Sequence, residues 1–370
     1  VKVPFVDLVA QNRGLRDEIL EAWGRILDTA RYVSGAEVAA FEEEFREVSG
    51  SAHCVAVSTG TDALMLGLRS LGVRPGDRVV LPANTFIATA EAVSNVGAEP
   101  LLVDCDPVTR NIDVAAAAGA LEQPGVVGVI PVHLYGQPAD MDPLLAAAEE
   151  VGAWVMEDAA QAHLARYKGR PAGSLGALGA FSFYPGKNLG APGEGGAVVT
   201  DDAEKADLLR MLRDHGQSAK YESRVIGYNS RMMELVASAL RIKLRHLPEW
   251  VEGRRRVAGL YMEKLAGVDG IEVPIEPDWA WSVYHLFVAH TPERDRLKER
   301  LENAGIGVGL HYPIPIHLQE AYGYLGHRAG DFPNAEANAC NGISLPIFPE
   351  MTDAQVEYVC GEITAAGGAK

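Results

Sequence analysis

Lys187 sits in the stretch AFSFYPGKNLGAPGEGGAVVT, Ala180 to Thr200. An apolar run, Ala180 to Tyr184, leads into a glycine-rich turn that holds the lysine, and a second apolar run, Ala197 to Val199, leaves it. The pattern reads as strand, loop, strand, with the lysine held where the first strand ends. Taken alone, a lysine on a glycine loop is a solvated surface charge. Two other stretches change that reading. The apolar run Ala153 to Met156 ends in Glu157-Asp158, and another near residue 60 ends in Ser58-Thr59-Gly60-Thr61-Asp62 and opens a helix. A lysine, a carboxylate at a strand end and a helix start able to take a phosphate are the parts that a pyridoxal phosphate (PLP) site needs.

Each part answers a chemical demand. The lysine must attack an aldehyde and later carry a proton, so its amine must lose its own proton easily; desolvation favours that. Lys187 fits. The pyridine nitrogen must stay protonated, which a nearby carboxylate favours; Asp158 fits, although a strand-end acid can also serve as a helix cap. A dianionic phosphate calls for helix N–H groups and hydroxyls. Gly60 permits close backbone approach, Thr61 adds an N–H and a hydroxyl, and Ser182 adds a second hydroxyl. Phe86, at the end of PANTF, is placed to stack on a cofactor ring, and would be equally at home in a core. Other chemistries lack their residues. Phe181 stands where a Walker A loop needs its first glycine, and Asn188 replaces the Ser or Thr. No GxGxxG follows the first strand. His311 and His317 lack metal-ligand spacing, so no metal site is expected.

The elements that must position these residues follow from hydrophobic periodicity. Residues 1–50 read as an N-terminal arm and amphipathic helices, with Leu15, Ile19, Ala22, Trp23 and Ile26 at helical spacing. From residue 52 strand and helix alternate: strands at His53–Val57, Arg78–Leu81, Pro100–Val103, Val126–Val132 and Ala153–Met156, with helices between them, one over Phe86–Val96. The strands are almost continuously apolar, so both faces should be buried. This pattern predicts an α/β fold with an open, mostly parallel sheet, whose ligands sit beyond the carboxyl ends of the strands. A helix is expected from Asp201 to His215 with Asp201 as its cap, and another from Met233 that Pro248 kinks or stops. A domain boundary is placed there. Residues 1–247 form the arm and a large α/β domain, and residues 248–370 a smaller α+β domain with strands at Val283–Ala289 and Val308–Tyr312, a helix at Arg294–Asn303 and a closing helix from Thr352. Arg254-Arg255-Arg256 reads as a solvated helix face.

Composition sets outer limits. The 370 residues are 48% hydrophobic and 22% charged, with a formal net charge of −17. That charge argues against nucleic acid and anionic membranes as partners, and any phosphorylated ligand must be held by local donors. The cysteines, Cys54, Cys105, Cys340 and Cys360, form no CxxC and are expected as free buried thiols, which suits a reducing, cytoplasmic location. There is no apolar leader at the N-terminus and no run long enough to cross a membrane.

Seven motifs then carry a resemblance. STGTDAL, PANTFIATA, VHLYGQPADM, MEDAAQAH, FSFYPGKNLG with GEGG, GYNSRM and HYPIPIHLQ are similar to those of the DegT/DnrJ/EryC1/StrS aminotransferases, from about Pro4 to Pro349. These are PLP-dependent sugar aminotransferases with the aspartate-aminotransferase fold (PLP fold type I). The resemblance implies that Lys187 binds PLP covalently, that Asp158 partners the pyridine nitrogen and that Gln161 contacts the ring near its phenolic oxygen. It further implies that Gly60, Thr61 and Ser182 hold the phosphate, that Phe86 stacks, and that Asn229 of GYNSRM reaches the phosphate of a neighbouring subunit in a homodimer. Tyr184, His311 and Tyr312 resemble sugar-pocket residues. Leu164, after His163, stands where the family commonly has glycine. Family dehydrases replace the lysine by histidine, so Lys187 keeps transaminase chemistry here. FSFYPGKN and HYPIPIHL resemble the branch that acts at C3 of dTDP-3-keto-6-deoxyhexoses, with L-glutamate as donor. Action at C4, action on a keto-inositol, or a non-catalytic regulatory role are the alternatives. The Ala-, Gly- and Arg-rich composition resembles that of chains from bacteria that make glycosylated natural products, which points to deoxysugar and antibiotic biosynthesis. Lys220, Arg224 and Arg231 are candidates to meet a pyrophosphate, or else are ordinary surface charges.

Overall fold

A computed structural model describes residues 2–367. The apolar runs become β1 (His53–Val57), β2 (Arg78–Pro82), β3 (Glu99–Val103), β4 (Val126–Val129), β5 (Trp154–Asp158), β6 (Leu178–Ser182) and β7 (Gly196–Thr200). They form one seven-stranded sheet in the order β1-β7-β6-β5-β4-β2-β3. Neighbouring strands are parallel across β6-β5-β4-β2-β3. β7 is antiparallel to both β1 and β6. The cause is local: no helix lies between β6 and β7, so nothing carries the chain back to the far end of the sheet before it pairs again. The consequence is functional. The Lys187 loop closes over the same end of the sheet at which β1, β2, β4 and β5 finish.

The sheet's two faces are covered by separate apolar clusters. One joins Val55, Val79, Leu81 and Met156 to the helix Gly60–Ser70. The other joins Ala56, Phe181 and Val199 to Phe41, Phe45 and the helix Glu234–Leu244. Strand residues thus bury both faces, as their unbroken apolar runs require. A third cluster gathers Val257, Tyr261, Phe287 and Leu345 of the C-terminal part together with Val3 of the N-terminal arm. There β8 (Phe287–His290) pairs antiparallel with β9 (Gly342–Leu345).

Several expected boundaries shift. Asp202, not Asp201, caps the helix Ala203–Leu212, accepting from Lys205 N at 3.0 Å, while Asp201 accepts from Ala52 N at 2.7 Å. Pro248 opens a helix rather than closing one: Glu234–Leu244 ends first, and Pro248 stands in the first turn of Leu247–Leu265, where its missing N–H costs nothing. Phe86 is the N-cap of Ile87–Asn95. Val283–Ala289 narrows to β8, and Val308–Tyr312 is no strand; within it only Gly309 bridges, to Ser344. Pro313 and Pro315 follow at once and supply no donors to a ladder. Of the four free cysteines, Cys340 is exposed, not buried. Among the described residues no helix is long and apolar enough to cross a membrane.

Glu157 pins the end of β5. Its carboxylate is fully buried and accepts from Leu175 N (2.6 Å), Gly176 N (2.7 Å), Gly173 N (2.7 Å) and His133 Nε2 (2.8 Å). His133 Nδ1 accepts from Ala139 N at 3.0 Å, so the proton of the ring lies on Nε2 and points at Glu157. Because strand residues alternate faces, this leaves the next residue, Asp158, on the other side. Glu157→Ala would strand these buried donors, and the expected loss is about 3 kcal/mol or more of stability, read by urea denaturation.

Candidate active site

The carboxyl ends of the strands open into a cleft of about 890 Å³. Every site residue predicted on this chain except Asn229 lines it: Gly60 and Thr61 after β1, Phe86 after β2, Asp158 and Gln161 at and after β5, Ser182 at the end of β6, Tyr184 and Lys187 on the loop, and His311 and Tyr312 from the C-terminal part. These residues span most of the chain in sequence; the sheet topology brings those up to Lys187 together, and the packing of the C-terminal part adds His311 and Tyr312.

The helix Gly60–Ser70 points its N-terminus at the cleft. Thr59 caps it, its hydroxyl accepting from Asp62 N at 3.0 Å, which leaves the N–H groups of Gly60 and Thr61 without an intrahelical acceptor and able to face an anion. Gly60 and Gly196 are steric requirements. A Cβ on Gly60 would lie 2.5 Å from Ser182 Cβ, and one on Gly196 would lie 2.2 Å from Thr59 O. Larger residues would push the helix start away from the Ser182 hydroxyl, and with it the anion cradle.

Asp158 is buried and held in place. Thr89 Oγ1 donates to its Oδ2 at 2.8 Å and Ala160 N to its Oδ1 at 3.2 Å. Thr89 spends its one proton on the carboxylate, so the 2.9 Å contact with Thr85 has Thr85 as donor. Burial raises the Asp158 pKa, against the pull of these bonds and of Lys187. A cationic partner in the cleft is what this carboxylate lacks.

Lys187 is half-buried in the wall of the cleft, and desolvation there pulls its pKa down to about 8, with Asp158 opposing. At pH 7 about a tenth of the amines are then neutral, some 300-fold more than for an ordinary lysine. PLP uptake by the apo protein, followed by absorbance, is therefore expected to quicken as pH rises through about 8 and then level off. A rate still climbing in proportion to hydroxide beyond pH 9.5 would contradict this.

The roof is aromatic and polar. The rings of Phe86 and Tyr312 lie 5.2 Å apart. Gln161 is held at both ends of its amide: Oε1 accepts from Tyr135 N at 2.6 Å and Nε2 donates to the Tyr312 hydroxyl at 3.0 Å. Tyr135 in turn donates to His311 O at 2.5 Å and accepts from Asn338 Nδ2 at 2.9 Å. His311 Nδ1 contacts Ser344 Oγ at 2.8 Å, and burial with Lys187 nearby lowers its pKa to about 4, so the ring is neutral. His163 packs among Phe45, Phe181 and Phe183; burial, chiefly, takes its pKa to about 3. Leu164 has φ 70°, the left-handed region that glycine enters freely and leucine enters at a cost of about 1–2 kcal/mol. This is why glycine suits the position.

Asn229 is exposed and outside the cleft of its own chain, on the segment that bridges Asp214. Of the cations considered for a pyrophosphate, Arg231 pairs with Asp214 at 2.9 Å and Lys220 lies over the Tyr221 ring. Neither they nor Arg224 line the cleft. Sequence reasoning missed Thr89, Tyr135, His285 and Arg254. Thr89 lies within PANTFIATA and carries no signal of its own. Arg254 is a correction: in place of a solvated face, it is 3% exposed and lines the cleft, while Arg255 is half-buried against Glu276 and only Arg256 keeps to the surface, beside Asp353.

The donor set fits PLP. A glycine-limited anion cradle, a buried carboxylate lacking a cation and a desolvated lysine converge on one cleft, at the carboxyl ends of a mostly parallel sheet. The fold and site define a PLP-dependent aminotransferase. Residues 14–364 match the DegT/DnrJ/EryC1/StrS aminotransferase family, and the chain belongs to that family. It is 46% identical to the erythromycin biosynthesis sensory transduction protein EryC1 of Saccharopolyspora erythraea, over 98% of this chain and 99% of that one. It is 45% identical to the dTDP-3-amino-3,4,6-trideoxy-alpha-D-glucose transaminase of Streptomyces venezuelae, over 95% and 92% of the two chains. The crystal structure of S. venezuelae DesV in complex with a ketimine intermediate superposes with a TM-score of 0.97 at 44% identity, over 100% and 99%. The protein is a PLP-dependent sugar aminotransferase.

Proposed function

We propose that the chain moves an amino group from L-glutamate to C3 of a dTDP-linked 3-keto-6-deoxyhexose, as a cytoplasmic homodimer in deoxyaminosugar biosynthesis. The observation that carries the reading is the convergence of Lys187, Asp158 and the Gly60–Thr61 helix start on one cleft of about 890 Å³, enough for a cofactor and a sugar. Tyr184 after FSF and the 45% identity to a transaminase named for a dTDP-3-amino sugar support the C3 position. The erythromycin and S. venezuelae relatives support a place in antibiotic sugar biosynthesis.

PLP supplies an aldehyde that takes up amino groups and a protonated ring that draws electrons from the adjacent carbon. The chain supplies the rest. Gly60, Thr61 and Ser182 hold the phosphate, with Asn229 of a second copy reaching it. Asp158, aligned by Thr89, keeps the ring nitrogen protonated. Phe86 would stack on the ring, and Gln161, tied to the Tyr312 hydroxyl, would contact it near its phenolic oxygen. Lys187 Nζ takes the proton from the α-carbon of L-glutamate and, in the second half, delivers one to the sugar carbon. The neutral His311 ring, with Tyr184 and Tyr312, borders the sugar. Net, the amine and two electrons pass from glutamate to the keto carbon and leave 2-oxoglutarate, so no outside oxidant or reductant enters.

The test is product analysis by NMR after incubating the protein, PLP and L-glutamate with 3-keto and 4-keto dTDP-sugars. An amine at C3 with equimolar 2-oxoglutarate is expected. An amine at C4, or conversion of a keto-inositol alone, would overturn the assignment.

A further inference from the structure

Among the described residues Arg254 is the one buried arginine that lines the cleft, and it makes no ion pair; the charge acting on it is that of the more distant Glu350. Of the residues that line the cleft, only Lys187 and Arg254 are lysine or arginine. Arg254 is 3% exposed, and its Nη1 donates to Tyr284 O (3.3 Å), His285 O (3.2 Å) and Ile347 O (3.1 Å). Those neutral carbonyls position the group without cancelling its charge. Its Nε has no hydrogen-bond partner at all. Every other arginine of the same run has an acid: Arg255 pairs with Glu276 and Arg256 with Asp353. A buried guanidinium without a counter-ion is costly, and buried charges are otherwise paired or serve a ligand. Burial lowers its pKa only to about 10, with Glu350 opposing from a distance, so it stays a cation at neutral pH.

We infer that Arg254 binds a carboxylate of the amino donor, and so selects an acidic amino acid over neutral amines in the first half of the reaction. The inference rests on the glutamate-dependent reading above. The physical argument is elimination plus fit. Lys187 is committed to the cofactor. The cleft's carboxylates, Asp158 and Glu194, repel a dicarboxylate. Arg254 stands on the helix Leu247–Leu265 at the wall of the cleft, and a guanidinium is a planar donor group matched to a carboxylate. Arg254 also ties the segments Tyr284–His285 and Ile347 together, a structural role that affects both half-reactions alike, whereas donor binding affects only the first.

Single-turnover kinetics of each half-reaction make that separation. In R254Q the half-saturating L-glutamate concentration should rise on the order of 100-fold or more, while the keto-sugar half-reaction, started from the pyridoxamine phosphate form, changes less than about threefold. R254K, which keeps the charge, should fall between the two. Direct calorimetric binding of the dicarboxylate maleate should be lost in R254Q. The wild-type protein gives an arm that needs no folded variant: the neutral diester of L-glutamate should react far more weakly than L-glutamate. Parallel loss in both half-reactions with maleate binding kept, or diester and glutamate reacting equally in the wild type, would overturn the inference. If the wild type shows no half-reaction with L-glutamate at all, the donor reading itself has failed, which is a different outcome.

Discussion

Lys187→Ala is expected to remove turnover by more than about 10⁴-fold while leaving the fold intact. The size follows from two losses at one atom. The amine that bonds the cofactor is gone, and so is the group that carries the proton, and each kind of contribution is itself worth orders of magnitude. Lys187 makes no side-chain hydrogen bond or ion pair that holds other elements together, and removing a desolvated amine relieves a cost. The variant should therefore melt at or above the wild-type temperature. It should still bind PLP through the Gly60–Ser182 cradle, with the absorbance of the free aldehyde rather than that of lysine-bound cofactor. Added ethylamine should restore a measurable fraction of the rate. Near-normal turnover would sink the assignment of Lys187, whatever the substrate proves to be.

Asp158→Asn should lower kcat by about 10²-fold or more with a much smaller effect on stability. Asparagine preserves the volume and its one carbonyl oxygen can still accept from Thr89, while its amide group no longer accepts from Ala160 N, so the change removes the charge and one long hydrogen bond. With the charge removed, nothing holds the proton on the ring nitrogen, and the electron-withdrawing power of the ring falls with it. The pH profile is the readout that a structural role would not reproduce. The wild-type rate should hold on the alkaline side, whereas the variant should lose rate as pH rises because the ring nitrogen gives up its proton. In the empty cleft burial raises the pKa of the carboxylate, and the ring cation that it would face opposes that shift, so cofactor binding should hold Asp158 ionised on mild acidification. A variant whose profile merely scales down by a constant factor would refute the pairing.

Much of the architecture was legible in the chain because it depends on local pattern. Unbroken apolar runs separated by helical spacing predict strands buried on both faces and a mostly parallel sheet, and residues at the ends of such runs must gather at one edge. That logic places Lys187, Asp158 and Gly60 together without any knowledge of their distances. Where it failed, the deciding contact was remote or the margin was a single residue. Asp201 and Asp202 are equivalent as caps on paper, and Ala52 settles the matter by occupying Asp201 from 149 residues away. Val308–Tyr312 has a strand's composition, but prolines just beyond it deprive the ladder of donors.

The arginine run shows the limit most clearly. Three adjacent arginines are chemically identical in sequence, yet one is buried in the cleft, one is half-buried and one is at the surface, because successive residues on a helix point about 100° apart and only the packing of that helix against the rest of the chain decides which direction is inward. The grip of Thr89 on Asp158 likewise joins residues 69 apart. The sequence by itself determined the reaction class, since that follows from residue types at strand ends. Only the tertiary structure decided which side chains hold those residues in register and which charge is left unpaired to meet a substrate, because burial and pairing are properties of packing rather than of order along the chain.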